Sequence, residues 1–219
     1  MPSDAPRVKV AAVRGYGASI RFCEPTLADR EATALEIIET TGATFIHPYD
    51  DVRVVAGQGT ATLEFLQEAP DLDVIVAPVG GGGLLSGTAV AAKGTDPRVV
   101  VYGAEPAAAD DARRSLHEGQ IVPSENPVTI ADGLRTSLSD LTFAIIREGV
   151  EDIGLASEEG IAEGTRLLFE RAKLVVEPSA AVPLAALLEG SLDLKGARVG
   201  IILSGGNVDL SRLPFARGG

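Results

Sequence analysis

Val74-Ile75-Val76-Ala77-Pro78-Val79-Gly80-Gly81-Gly82-Gly83-Leu84-Leu85-Ser86-Gly87 is the stretch that decides the fold class. Its apolar first half reads as a short buried strand, and the residues after the glycines read as the start of a helix. Between them lie four consecutive glycines. Without Cβ atoms the chain can approach a ligand closely and adopt φ > 0, so successive N–H groups can converge on an anion. The helix behind adds its orphan N–H groups and the positive end of its dipole. One or two glycines there would read as a plain β-to-α turn. Four in a row point to an anion site.

Outward from this stretch the same alternation repeats. Strands are expected near Ser19–Cys23, Thr44–His47, Asp73–Ala77, Arg98–Ala104, Asp152–Ala156 and Arg198–Ser204. Amphipathic helices are expected between them. Thr26–Thr40 sets Leu27, Ala34, Leu35 and Ile38 on one face, and Ser157–Arg171 does so with Ile161, Leu167 and Leu168. Ser157 is the expected N-cap of the latter. Gln120–Ile130, with two prolines and an asparagine, reads as a surface loop. Alternating strands and helices imply βαβ units, hence an α/β fold with a mostly parallel sheet and helices on both faces. The start is unusual for such a fold. Met1–Pro6 runs straight into a helical apolar pattern (Val8, Val10, Ala11, Val13) with no leading strand.

The 219 residues suffice for a sizeable core, in one domain or two modest ones. A net charge of −12 argues against nucleic acid or an anionic membrane surface as partner. It also makes an anion site notable, since the anion is held against the overall field. No apolar run is long enough for a membrane span and the N-terminus lacks a signal pattern, so a cytoplasmic location is expected. The single cysteine, Cys23, cannot form an internal disulfide and is expected to be a small buried hydrophobe.

A second glycine turn, Ser204-Gly205-Gly206-Asn207, follows the apolar run Val199–Leu203. In open parallel sheets ligands sit beyond the carboxyl ends of strands, so the two glycine turns can line one crevice, with the Ser204 hydroxyl available to donate or accept. Glu105 closes the strand Arg98–Ala104, and Asp110-Asp111 follow shortly after. Such carboxylates with intervening carbonyls can bind Mg²⁺ or Ca²⁺, or can simply be solvated acids. Glu105 has a rival role as the ribose-binding acid of a dinucleotide site. No register of the glycine loop satisfies G-x-G-x-x-G, which weakens that reading. Glu177 precedes Pro178 where an apolar run turns into a helix, and either faces the crevice or favours the helix dipole. His47 and His117 are isolated, and no serine or cysteine has a nucleophile context, so a hydrolytic triad is unsupported.

Together these segments resemble pyridoxal-phosphate enzymes of the tryptophan synthase β type (fold type II), most closely the serine racemases and threonine dehydratases. The resemblance rests on Gly15-Tyr16-Gly17-Ala18, Ala56-Gly57-Gln58-Gly59-Thr60, Pro78–Gly83, Ala104-Glu105-Pro106, Ile130-Ala131-Asp132-Gly133, Glu177-Pro178-Ser179-Ala180 and Leu203–Leu210. Their order and spacing cover nearly the whole chain. The resemblance implies a three-layer α/β fold, with residues 1–51 a remnant of the small domain and 52–219 the later part of the large cofactor-binding domain. It implies that Gly80, Gly81, Gly82 and Gly83 hold the phosphate of pyridoxal 5′-phosphate, that Ser204 bonds the pyridine nitrogen, and that Glu177 belongs to the cofactor site. Glu105, Asp111 and the Ala109 carbonyl correspond to a divalent-cation site for Mg²⁺ or Ca²⁺. Tyr16 and Lys173 match positions near a nucleotide site. A serine at the pyridine nitrogen does not force that nitrogen to stay protonated, which suits α-proton removal with β-elimination or reprotonation rather than transamination.

The family's Schiff-base lysine, in an S-F-K-x-R-G segment, and its S-G-N-H-type substrate loop have no counterpart here, and the lysines present are Lys9, Lys93, Lys173 and Lys195. Lys93 lies about ten residues beyond the glycine loop, roughly 15 Å along its helix, too far to reach the crevice. The implied activity is that of a threonine/serine ammonia-lyase or serine racemase on a small amino acid, with this chain an N-terminally truncated form inactive alone and no catalytic residue assigned. Its partner is then a homodimer mate or a complementing N-terminal segment, and a sheet edge is left unpaired with apolar surface exposed. The alternatives are a non-catalytic phosphate- or nucleotide-binding remnant and, less favoured, an NAD-dependent enzyme.

Overall fold

A computed structural model describes residues 1–5 and 7–215, which divide into two compact units, Met1–His47 and Pro48–Gly219. The first unit holds two helices, α1 (Arg7–Gly15) and α2 (Leu27–Thr41). Thr26 caps α2 by accepting the Asp29 N–H at 3.2 Å, and Gly42 ends it in the left-handed region at φ 69°. The strands expected at 19–23 and 44–47 do not form. Cys23 N–H donates to Met1 C=O at 3.0 Å and Ser3 N–H to Cys23 C=O at 2.9 Å, which leaves only a one-residue parallel bridge between Pro2 and Cys23. Residues 44–47 are not part of any strand of the sheet, whose four strands all come from the second unit. Cys23 is half-buried rather than buried, and Leu35 faces outward. No described residue of this unit is buried.

The second unit begins with α3 (Val52–Glu68), capped by Asp51. Strand β1 (Val74–Pro78) leads through the glycine turn into α4 (Gly83–Thr95), and β2 (Val100–Pro106) leads into α5 (Asp111–Glu118). After the loop expected at 120–130 come α6 (Asp140–Gly149), β3 (Ile153–Ala156) and α7 (Glu158–Leu167), which Ser157 caps as the sequence implies. A wider π turn, Leu168–Ala172, ends α7. Then follow α8 (Pro178–Leu188) and β4 (Val199–Ile201).

All strand pairs are parallel, in the order β3-β2-β1-β4, with Val76 opposite Tyr102 on one side and Ile201 on the other. The period of two along β1 sorts the core. Ile75 and Ala77 pack with Leu85, Phe143 and Ile146 of α4 and α6, while Val74 and Val76 pack with Ile161 and Val182 of α7 and α8. Every residue of β1 is buried, as a strand covered on both faces requires. The unit is therefore a three-layer α/β arrangement with its ligand-accessible end at the strand carboxyl termini.

One helix contact is decided by glycine. A β-carbon on Gly87 of α4 would lie 2.5 Å from the Val55 carbonyl oxygen and 2.6 Å from the Gly59 nitrogen, both on α3. The two helices therefore meet backbone to backbone. This explains a glycine in Ala56-Gly57-Gln58-Gly59-Thr60 without any ligand.

Candidate functional site

The glycine turn leaves β1 and enters α4 with all four glycines buried and Gly82 at φ 88°. Protein fills the side where their Cβ atoms would stand. A β-carbon on Gly81 would lie 2.3 Å from the Tyr49 ring, and one on Gly82 would lie 2.8 Å from Leu138 and Thr142. Packing alone thus demands glycine at these positions. The amides tell a second story. Among the described residues, none accepts a hydrogen bond from the N–H groups of Gly80, Gly81, Gly82, Gly83, Leu84 or Leu85. Buried backbone donors are otherwise nearly always paired, so a run of open amides at the head of a helix is chemically fitted to an anionic oxygen. The loop is fixed from behind by Thr142 of α6, whose buried hydroxyl donates to the Gly81 carbonyl at 2.9 Å.

The second glycine turn is brought to the same end of the sheet through a chain of close contacts. A β-carbon on Gly80 would meet Leu134 at 3.0 Å and the Gly133 carbonyl at 3.3 Å. Gly133 N–H donates to the Ser179 hydroxyl at 3.1 Å, at the head of α8. Next to it, Glu177 N–H donates to the Gly205 carbonyl at 3.0 Å, and the Glu177 carboxylate accepts the Asn207 N–H at 3.1 Å. A β-carbon on Gly205 would sit 2.6 Å from Glu177 Oε1. Glu177 therefore braces the 204–207 turn, and Ser204 stands exposed beside it. The strand expected to run through Ser204 stops at Ile201, because the chain turns to meet Glu177.

At the carboxyl end of β2 the acids form a separate, buried group. Glu105 is 1% exposed and accepts N–H bonds from Ala112 at 3.2 Å and Arg113 at 2.8 Å, at the start of α5. Burial pushes its carboxyl up to about 8, against the pull of those amides. Asp111 is also 1% exposed, and both its carboxylate oxygens are buried without a hydrogen-bond partner. Burial raises it to about 6. The plainer expectation of solvated acids does not describe these two residues. Orphaned buried oxygens beside a second carboxylate fit a hard cation, with Ala109 on the connecting turn between them. Among the described residues there is no cluster of three or more His, Cys, Asp or Glu, so the remaining positions around such a cation would fall to carbonyl oxygens and water.

Tyr16 belongs to the first unit and is 86% exposed, and Lys173 belongs to the second. Lys173 adopts φ 59° at the end of the π turn and its ammonium donates to the Glu170 carbonyl at 2.7 Å. Lys93 is held at the far end of α4, donating to the Val99 carbonyl at 3.1 Å, as its helical distance from the loop implies. Sequence reasoning assigned no role to Tyr49, Thr142, Ser179 or Gly133, which hold the two turns. The capping-type spacing Ser139-x-x-Thr142 and the Ala131-Asp132-Gly133 turn were the available signals, but neither says what the residues touch.

The profile of the family described as "Pyridoxal-phosphate dependent enzyme" matches residues 1–205. The chain is 47% identical to a serine racemase of Dictyostelium discoideum, over 97% of this chain and 67% of that protein. It is 44% identical to a β-hydroxyaspartate dehydratase of Paracoccus denitrificans, over 98% of this chain and 68% of that one. Among solved structures, a T.th. threonine deaminase superposes with a TM-score of 0.89 at 49% identity, covering 96% of this chain and 70% of that one. The chain thus spans about two thirds of the length of these relatives.

Proposed function

The chain belongs to the pyridoxal-phosphate dependent enzymes, with the fold of the type II branch, and on that premise we propose that it is the phosphate- and cation-holding portion of a dehydratase (ammonia-lyase) or racemase acting on serine, threonine or a similar hydroxy amino acid. The open amides of Gly80 to Leu85 carry the reading. They would hold the cofactor phosphate, with the α4 dipole favouring its charge. Ser204 would offer its hydroxyl to the pyridine nitrogen, and Glu177 would fix the turn that presents it. A neutral hydroxyl leaves that nitrogen free to remain unprotonated. Bound, the cofactor supplies an electron sink for the charge left when the substrate's α-proton departs. Glu105, Asp111 and the Ala109 carbonyl would hold Mg²⁺ or Ca²⁺, ordering the β2–α5 turn.

No lysine of this chain is fitted to remove or return the α-proton, and Lys93 is occupied elsewhere. The chain by itself is accordingly proposed to bind the cofactor phosphate without turnover, and to need a lysine supplied from outside these 219 residues. Thermal melting with pyridoxal phosphate, with inorganic phosphate and with phosphate-free pyridoxal tests this. The first two should raise Tm and the third should not, since only a ligand that binds the folded chain stabilises it. Borohydride reduction followed by intact-mass measurement should find no stoichiometric adduct. Equal effects of pyridoxal and its phosphate would defeat the anion-cradle reading, and a full adduct on one lysine would defeat the inactivity reading.

A further inference from the structure

We propose that Ser137 is a positioning residue that ties the two halves of the candidate site together, so that a divalent cation at Glu105 and Asp111 and a phosphate at the open amides bind cooperatively. The proposal rests on the function proposed above. Its geometry lies in the connection between α5 and α6. There the Ser124 N–H donates to the Ser137 hydroxyl oxygen at 2.8 Å, across 13 positions of sequence. Both residues are half-buried, and the bond closes the neck of the loop 125–136. On one side the neck is fixed to the acids. The buried Ser115 hydroxyl donates to the Asp111 carbonyl at 2.6 Å and accepts the Val122 N–H at 2.8 Å, just before Ser124. Ala109, Asp110, Val122 and Ser124 also share the lining of one cavity of about 210 Å³. On the other side the neck bears on the glycine turn, through the two chain neighbours of Ser137. A β-carbon on Gly80 would lie 3.2 Å from Thr136 Oγ1, and one on Gly82 would lie 2.8 Å from Leu138. With no room between them, a shift of Thr136 or Leu138 is felt by the backbone of the turn.

Each ligand then holds the same element. A cation gives the two Asp111 carboxylate oxygens the partner they lack, and so fixes Asp111, Ser115 and Val122 in place. That keeps the Ser124 N–H directed at Ser137, and Ser137 keeps Thr136 and Leu138 against the glycine turn. A phosphate on the open amides fixes the same turn from its other side. Whichever ligand binds first has already ordered the neck for the second, and by linkage the two effects are equal. The element with two arrangements, which both ligands bias, is the neck itself, bonded or open.

The experiment is calorimetric titration of this chain with pyridoxal phosphate, with and without Mg²⁺, so that binding rather than turnover is read. Mg²⁺ should raise the affinity about tenfold in the wild type and in Ser137→Thr, which keeps a hydroxyl. In Ser137→Ala, which strands the Ser124 N–H, the ratio should fall below about twofold. A serine that served only the fold would lower both affinities and leave their ratio unchanged. Asp111→Asn should lose the Mg²⁺ effect, which separates coupling from capture of the metal by the free ligand. If Ser137→Ala fails to melt cooperatively, hydrogen exchange at the Ser124 amide of the wild type decides. Mg²⁺ alone and pyridoxal phosphate alone should each slow that exchange, and an amide indifferent to both overturns the proposal. So does a full Mg²⁺ effect in Ser137→Ala or in Asp111→Asn, or a wild type that binds Mg²⁺ without any change in affinity. Absence of pyridoxal phosphate binding under every condition defeats the proposed function, and this inference with it.

Discussion

Asp111 and Glu105 are two buried carboxylates, and Glu105 accepts two backbone N–H bonds from the start of α5. Glu105 is raised from 4.5 to about 8 and Asp111 from 3.8 to about 6, so the folded chain holds these protons more tightly than the unfolded chain does. Their contribution is most favourable to folding below the unfolded values. It is lost as pH rises, from 4.5 toward 8 for Glu105 and from 3.8 toward 6 for Asp111. Each unit of separation is about 1.4 kcal/mol, so a denaturant series from pH 5 to pH 8 without divalent cation should show a loss of a few kcal/mol. Mg²⁺ should restore most of it at pH 8 and little at pH 5, because only the ionised acids attract the cation. Asp111→Asn should raise stability at pH 8 and abolish the Mg²⁺ response. A Mg²⁺ effect unchanged in that variant would remove Asp111 from the site.

At the scale of elements, the site is a matter of how helices hold two turns. The α3–α4 contact leaves no room for a β-carbon at Gly87. Gly87→Ala must push the helices apart, and since the obstacle is backbone, a loss of about 2 kcal/mol or more is expected in urea unfolding despite alanine's better helix propensity. Thr142→Val keeps the shape of a buried side chain but leaves the Gly81 carbonyl without its donor, at a cost of about 1–3 kcal/mol. Calorimetry should also find weaker pyridoxal phosphate binding in that variant, because the loop loses its brace. Unchanged affinity would mean that Thr142 serves only the α6 cap. The helices themselves were legible from apolar spacing, and Ser157 was legible as a cap. The lengths of the strands were not. Ile202 and Leu203 continue the apolar run of β4, yet the strand ends at Ile201 because the turn beyond it is held by Glu177, which lies far away in sequence.

At the scale of the whole molecule, the two units differ in kind. The second has β1 buried along its length between two layers of helices, whereas no described residue of the first is buried. A unit of Met1–His47 is small for a self-sufficient core. Its amides are expected to exchange orders of magnitude faster than those of β1 and β2, a difference that native-state hydrogen exchange measures directly. Comparable protection in the two units would show that the first is stabilised by more than its own contacts. No described helix is long and apolar enough to cross a membrane.

The sequence by itself determined the layer architecture, since alternating short apolar runs and amphipathic helices admit few solutions other than a parallel sheet covered on both faces. It determined the glycine turn as the place where backbone must come close to something. It could not tell whether Glu105 and Asp111 are solvated or buried, because exposure is a property of what packs around a residue and not of its neighbours in the chain. It placed strands at 19–23 and 44–47 on local propensity, whereas the structure shows a single bridge at Cys23 and no strand at 44–47, because strand formation depends on what the rest of the chain brings alongside. Only the tertiary structure joined Gly80, Gly133, Ser179, Glu177 and Gly205 into one end of the sheet, because those contacts span long sequence separations and depend on strand order. Only it revealed that β4 lies at an edge whose outward backbone groups have no partner among the described residues, since an edge is defined by the strand that is not beside it.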